Sequence, residues 1–377
     1  MQRFDEIFYL QSMKQLLACL ILSSVTGNAQ TSRLLIGTYT NTTSEGIYVY
    51  DFNATDAKAK LITSAKSSNP SFLAVTGNKK FIYAVNENDP GTVTAFSYQK
   101  ETGTLTAINT VETKGAHPCY VSTDRKSKHL VVGNYSGGNL SVFDIKEDGS
   151  LSEAKQTIQH NGNGLNRQRQ EKAHVHATVF SPDYKMLFVP DLGMDKLMMY
   201  KVDSKSGMLS PAEPAFIETV GGAGPRHMVF HPTEKFMYLV EELTGTVSVY
   251  EFKENNWIPV QNPTAHPMNY KGAMGSADIH ISPDGLFLYC TNRGESNTIA
   301  IFSINQLNGI LTPVAHQSTL GIHPRNFTIH PSGNYLLVAN RDSDEVVIFR
   351  IDKNTGLLTD TGERIKVPRP VCLTWAE

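Results

Sequence analysis

Arginine, histidine and glutamate recur in this 377-residue chain at matching distances from a repeated landmark. Arg226 and His227 follow Pro225, Arg325 follows Pro324, and His174 and His176 flank Val175 in a more divergent copy of the same stretch. Sixteen residues after each leading position stands a polar residue, and just beyond those come Glu87, Tyr135, Leu192, Glu242, Arg293 and Arg341. Gathered in one place, such a set makes a cationic pocket with a carboxylate and a histidine, suited to an anionic small molecule. A carboxylate or an imidazole can take a proton from water. An arginine facing a carbonyl can stabilise developing negative charge without itself titrating, and further arginines can grip a phosphate or carboxylate with paired hydrogen bonds. The bland alternative is a rim of solvated charges that pair with one another.

Those residues can meet only if the chain repeats, and it does. Asn69-Pro70 leads to Asn86, His117-Pro118 to Asn134, Gly224-Pro225 to Glu241 and His323-Pro324 to Asn340, with Val175 to Asp191 and Ser276 to Asn292 as degenerate copies. The polar anchors are 48, 57, 50, 51 and 48 residues apart, the period of a repeat architecture. Each unit holds four short runs rich in Val, Ile, Tyr, Phe and Thr, split by turns such as Asp-Pro-Gly and Glu-Thr-Gly. Four strands per unit describe one blade of a β-propeller, and nothing carries the sustained 3.6-residue period of a helical solenoid. Six complete units, three strands from residues 33–61 and a last strand at Arg369–Trp375 predict an all-β, seven-bladed propeller whose C-terminal strand completes the N-terminal blade. The leading positions and the anchors then ring one mouth of the central channel. The longest interval carries a polar, Gly-rich insertion from His160 to His174, which would overhang that mouth and offers Arg167 as a further anion-binding candidate.

Composition excludes several classes. Lys+Arg number 34 against 36 Asp+Glu, a balance that argues against a nucleic-acid partner. The chain is 40% hydrophobic and 19% charged, so a large packed core is expected rather than disorder. Four cysteines at 19, 119, 290 and 372 are too few for a disulfide framework and lack zinc-site spacing. Cys119 and Cys372 fall at neighbouring positions of the first strand, in blades taken as adjacent, and read as small core residues. From Met13 the chain resembles a secretory leader: Lys14, an apolar stretch from Leu16 to about Val25, and Gly27-Asn28-Ala29 before Gln30. Met13 is then the natural start, and residues 1–29 precede a single propeller domain at 30–377. That run is too short for a membrane span. Cleavage would place the protein in the periplasm or cell envelope; without it the protein would be cytoplasmic. A monomer or weak homo-oligomer is expected.

Several motifs together resemble one family: Gly37-Thr38-Tyr39-Thr40, Asn134-Tyr135-Ser-Gly-Gly, His174-Val175-His176, Asp191-Leu192-Gly193, Gly224-Pro225-Arg226-His227, Glu241-Glu242-Leu243, Asn292-Arg293-Gly294 and Pro324-Arg325-Asn326-Phe327. Residues 33–375 are similar to the seven-bladed lactonase propellers, which include bacterial 6-phosphogluconolactonase and fungal carboxymuconate lactonizing enzyme. The resemblance implies a catalytic histidine, two arginines and a glutamate, which fall by motif on His176 (with His174 as alternative), Arg226, Arg293 and Glu242. The remaining candidates, His174, His227, Arg325, Arg341, Arg167 and Tyr135, would bind substrate. Lys172-Ala173 stands before His174 where the family often has proline, and the leader is unlike the cytoplasmic members. The implied reaction is hydrolysis of an anionic sugar δ-lactone, with lactone cyclisation or a non-catalytic binding platform as alternatives. It needs no metal and no redox cofactor, and no Gly-x-Ser-x-Gly elbow points to a serine hydrolase.

Overall fold

The computed structural model describes residues 31–376, so the expected leader and Cys19 lie outside the described residues. The Val-, Ile-, Tyr- and Phe-rich runs form seven four-stranded antiparallel sheets. Blade 1 joins Thr31–Lys66 to Pro370–Trp375; blades 2 to 7 span residues 73–112, 118–159, 179–218, 225–261, 276–318 and 324–366. The closing strand Pro370–Trp375 pairs antiparallel with Thr31–Thr38, Leu34 opposite Trp375 and Gly37 opposite Cys372. Closure removes the free inner edge that an unpaired first blade would leave. Among the described residues no helix is long and apolar enough to cross a membrane.

The core lies between blades. Leu34, Ile36 and Phe52 of blade 1 pack on Tyr335, Leu337 and Ile348 of blade 7, with Leu373 of the closing strand between them. Fully burying each such side chain contributes about 1.5–3 kcal/mol. Buried tyrosines add a polar stitch: Tyr83, Tyr238 and Tyr289 donate to the carbonyls of Gly149, Gly309 and Gly356 in the next blade, at 2.9–3.0 Å. Gly309 needs its positive φ of 71°, and a Cβ there would strike Phe236. Cys119, Cys290 and Cys372 are buried and free. Cys119 and Cys372 are not in adjacent blades, because blade 2 stands between blades 1 and 3.

The register explains how the repeat aims side chains. In four blades the leading residue pairs with its anchor: Pro118 with Asn134, Pro225 with Glu241, Ser276 with Asn292 and Pro324 with Asn340. The next pairs skip a residue, so that His227 faces Val240 and Asn326 faces Ala339. Arg226, Arg325 and Cys119 are therefore the extra residues of β-bulges, a device that re-aims a side chain out of the ladder. The residue after each anchor is fixed the same way seven times over. The amides of Tyr39, Glu87, Tyr135, Leu192, Glu242, Arg293 and Arg341 donate to the carbonyls of Arg369, Asn69, His117, His174, Gly224, Gly275 and His323.

Candidate active site

Two rings of side chains, one from the bulges and one from the post-anchor positions, converge on Glu242. It is 4% exposed. Its Oε2 lies 3.0 Å from Arg226 Nε, 2.8 Å from an Arg293 guanidinium nitrogen and 3.9 Å from His176 Nε2. Its Oε1 accepts a 2.6 Å bond from Arg169. Burial alone would raise the Glu242 carboxyl, but Arg293 and Arg226, helped by His176 and Arg169, hold it well below the usual range. The carboxylate is thus ionised and heavily paired.

The cations around it are mounted differently. Arg226 is 1% exposed and its guanidinium also donates to the Ala277 carbonyl. Its burial, with Arg293 and Arg325 nearby, lowers its pKa to about 10, so it stays cationic at neutral pH. Arg293 donates through Nε to Gly275 O at 2.9 Å and also reaches Ser276 O at 3.4 Å. Arg325 lies 3.6 Å from Glu87 and over the ring of Tyr39, whose hydroxyl donates to Glu87 at 2.9 Å. Burial, then Arg226 and His227, push His176 well below the ordinary histidine value, so it is a neutral imidazole. Cys119 packs beneath it, 3.8 Å from Nδ1. Burial raises that thiol to about 12, which removes it as a nucleophile.

Of the sequence candidates, Glu242, Arg226, Arg293 and His176 therefore meet, with Arg325 and Tyr135 beside them. His174 stacks on Tyr135 at 4.5 Å and donates to its carbonyl, so it supports that ring instead of opening onto the pocket. Three further candidates lie apart from this cluster. Arg341 is drawn sideways into a two-pronged pair with its neighbour Asp342, at 2.8 and 2.9 Å, and that aspartate also holds Arg369. Arg167 is exposed, and the insertion instead delivers Arg169. His227 sits one residue deeper than the bulge, its Nδ1 2.8 Å from Asp278, and meets His176 only edge to face. Sequence reasoning missed Arg169, Tyr39 and Asp278. Tyr39 had a signal, since Thr38 pairs with Pro370 and so marks the seventh post-anchor position.

The residues one step past the bulge close the channel below the site. Phe72 stacks on Tyr120 at 4.0 Å, Tyr120 meets His227, and His227 binds Asp278. Asp278 also accepts from His280 at 3.0 Å, from the Asn326 side chain and from the Phe327 amide. Beyond this layer the channel reopens as a cavity of about 330 Å³ bordered by His280, Thr328 and Trp375. Among the described residues no group of three or more His, Cys, Asp or Glu is placed to hold a metal ion.

Comparison with known proteins agrees with this architecture. Residues 33–375 match the family described as "Lactonase, 7-bladed beta-propeller". The chain is 38% identical to the 6-phosphogluconolactonase of Formosa agariphila over 89% of its own length and 96% of that protein. It is 37% identical to the 6-phosphogluconolactonase of Bacillus subtilis, covering 90% and 96%. The solved periplasmic gluconolactonase of Pseudomonas aeruginosa superposes with a TM-score of 0.88 at 35% identity, over 92% of this chain and 99% of that one. The repeat, the closed ring and these matches together make the chain a member of the seven-bladed β-propeller lactonase family.

Proposed function

We propose that this protein hydrolyses a sugar δ-lactone carrying an anionic group, 6-phosphogluconolactone being the leading substrate. The observation that carries this reading is the buried, ionised Glu242 held by three guanidinium groups beside a neutral imidazole, in a lactonase propeller. In this mechanism water attacks the lactone carbonyl and gives its proton to Glu242. The carbonyl oxygen becomes an oxyanion facing Arg226 and Arg293, whose charge is already oriented and costs no reorganisation. Collapse breaks the bond to the ring oxygen, which takes the proton back, and the product is the open hydroxy acid. His176 as the base is the second reading, favoured by its neutral ring 3.9 Å from Glu242. The family resemblance and the relatives named 6-phosphogluconolactonase support the substrate class. An envelope location is proposed from the leader-like residues 13–29 and the likeness to a periplasmic gluconolactonase.

The test is acid release from phosphorylated and unphosphorylated glucono-δ-lactone, with and without chelator. Turnover that persists in chelator and falls about a hundredfold or more in Glu242→Gln is expected. No turnover on either lactone, or turnover abolished by chelator, overturns the reading. A His176→Asn variant more damaged than Glu242→Gln moves the base to His176.

A further inference from the structure

The three guanidinium groups on Glu242 are not equivalent. Arg226 and Arg293 are each tied to backbone carbonyls as well as to the carboxylate. Arg169 holds only side chains, the Glu242 carboxylate at 2.6 Å and the Tyr135 hydroxyl at 3.3 Å, and its side chain is 44% exposed. Its mount is nonetheless rigid. The turn at Asn166–Gln170 is closed on itself by the Gln170 amide donating to Asn166 O and by Asn166 N donating to Gln170 Oε1 at 2.8 Å. The fully buried Gln170 side chain then pins the turn to Leu192 O and Asp195 at 2.8 and 2.6 Å. One long side chain can therefore swing while its backbone stays still. The charges leave it somewhere to go. Arg169, Arg226, Arg293 and Arg325 face Glu242 and Glu87, with the ionised Asp278 one layer below Arg226, so the cluster keeps an excess of positive charge, which suits an anionic group such as a phosphate monoester.

We propose that Arg169 is a substrate-operated gate: in the free protein it caps Glu242 Oε1, and the anionic group of the substrate draws it off, freeing that oxygen to act as base. This deepens the lactonase reading and rests on it. With Arg169 on the phosphate, the water proton passes to Oε1, the water oxygen bonds to the lactone carbon, and the departing ring oxygen recovers the proton from Glu242. Fewer cations on Glu242 make it a stronger base, and the cost of uncapping is met by the bond between Arg169 and the anion. An unphosphorylated lactone leaves the cap in place and is turned over slowly.

The test is Arg169→Met, with Arg169→Lys as the conservative variant. For Arg169→Met the KM for 6-phosphogluconolactone should rise roughly ten- to a hundredfold. The kcat on unphosphorylated gluconolactone should rise on the order of threefold, because the cap is gone. The acid limb of that rate should move to higher pH, since Glu242 keeps Arg226, Arg293, Arg325, His176 and Tyr135 around it but loses one cation. Arg169→Lys should recover part of the KM. An equal fall on both lactones, or no change in their ratio, overturns the gate and leaves the lactonase reading standing. If the wild type hydrolyses neither lactone, that reading falls and takes the gate with it. With an active wild type, affinity for inorganic phosphate weakened about tenfold or more in Arg169→Met supports the gate, whereas equal affinity or no binding by the wild type overturns it.

Discussion

Glu242 and Asp278 are both buried carboxylates on the central channel, both held below the usual range, yet their surroundings differ in kind. Glu242 is surrounded by guanidinium groups carried on bulges, post-anchor residues and an insertion. For Asp278, burial would raise the carboxyl, and His280 and His227 outweigh it, joined by Asn326 and a backbone amide from the neighbouring blade. Asn326 also accepts from the Leu373 amide of the closing strand at 2.7 Å, so Asp278 is wired into ring closure. One residue of depth separates the bulge ring, to which the proposed chemistry is assigned, from the ring beneath it, which is tied to closure of the propeller. A perturbed carboxylate alone does not mark a catalytic site, since structural networks shift carboxyls as well.

The most severe way to probe the architectural side is deletion of residues 370–377. The first blade would lose its inner strand, Asn326 its partner at Leu373, and the Ile329 carbonyl its bond from Trp375. Loss of soluble, cooperatively unfolding protein is expected. A truncated chain that melts in a single sharp transition near the wild-type temperature would show that closure by this strand is dispensable.

Next in size come substitutions that separate the two carboxylates. Arg293→Met should lower kcat/KM about a hundredfold or more, with a fall in melting temperature smaller than that of Asp278→Asn, because Arg226 and Arg169 still pair with Glu242 and the repulsion between Arg293 and Arg226 is relieved. Asp278→Asn should do the reverse. Removing one partner of a buried charged network costs about 3–5 kcal/mol, a fall of roughly 5–10 °C in melting temperature, with kcat/KM held within about tenfold. If Asp278→Asn abolishes turnover at an unchanged melting temperature, the division drawn between the two sites is wrong.

Much of this was legible in the sequence, and the limit is physical. The sixteen-residue spacing places Arg226, Glu242 and Arg293 on one mouth because strand pairing transmits register, and a repeat transmits it six times. Arg169 escaped because its position depends on a self-closed turn with no counterpart in the other blades. Arg341 sits at the matching position but is turned aside by the local carboxylate of Asp342. His227 lies a layer below Arg226 because Arg226 is bulged, so two residues adjacent in sequence point into different layers. No periodicity reveals which member of such a pair is the extra one.

The smallest expected effect is also the most specific to the lower layer. Burial, then Arg226, bring His227 down to about 4 from an ordinary value near 6.5, while its bond to Asp278 opposes them. Between those pH values the unfolded chain binds a proton at this position and the folded chain does not. Stability must therefore rise with pH across the window, and fall on acidification from about 6.5 to 4 by about 3 kcal/mol. Below that, Asp278 adds its own loss, because the unfolded carboxyl protonates while the folded one, held far below the usual range, stays ionised. His176, His266 and His323 are lowered as well, so the wild-type slope carries several protons. His227→Gln keeps a donor for Asp278 but cannot titrate. Its melting temperature should decline less steeply than the wild type's between pH 6.5 and 4, by one proton's share, with kcat/KM at neutral pH within about tenfold. Parallel curves for the two proteins would mean that His227 is protonated in the folded state, and that the layer holding Asp278 is an ion pair instead of a neutral donor serving an anion.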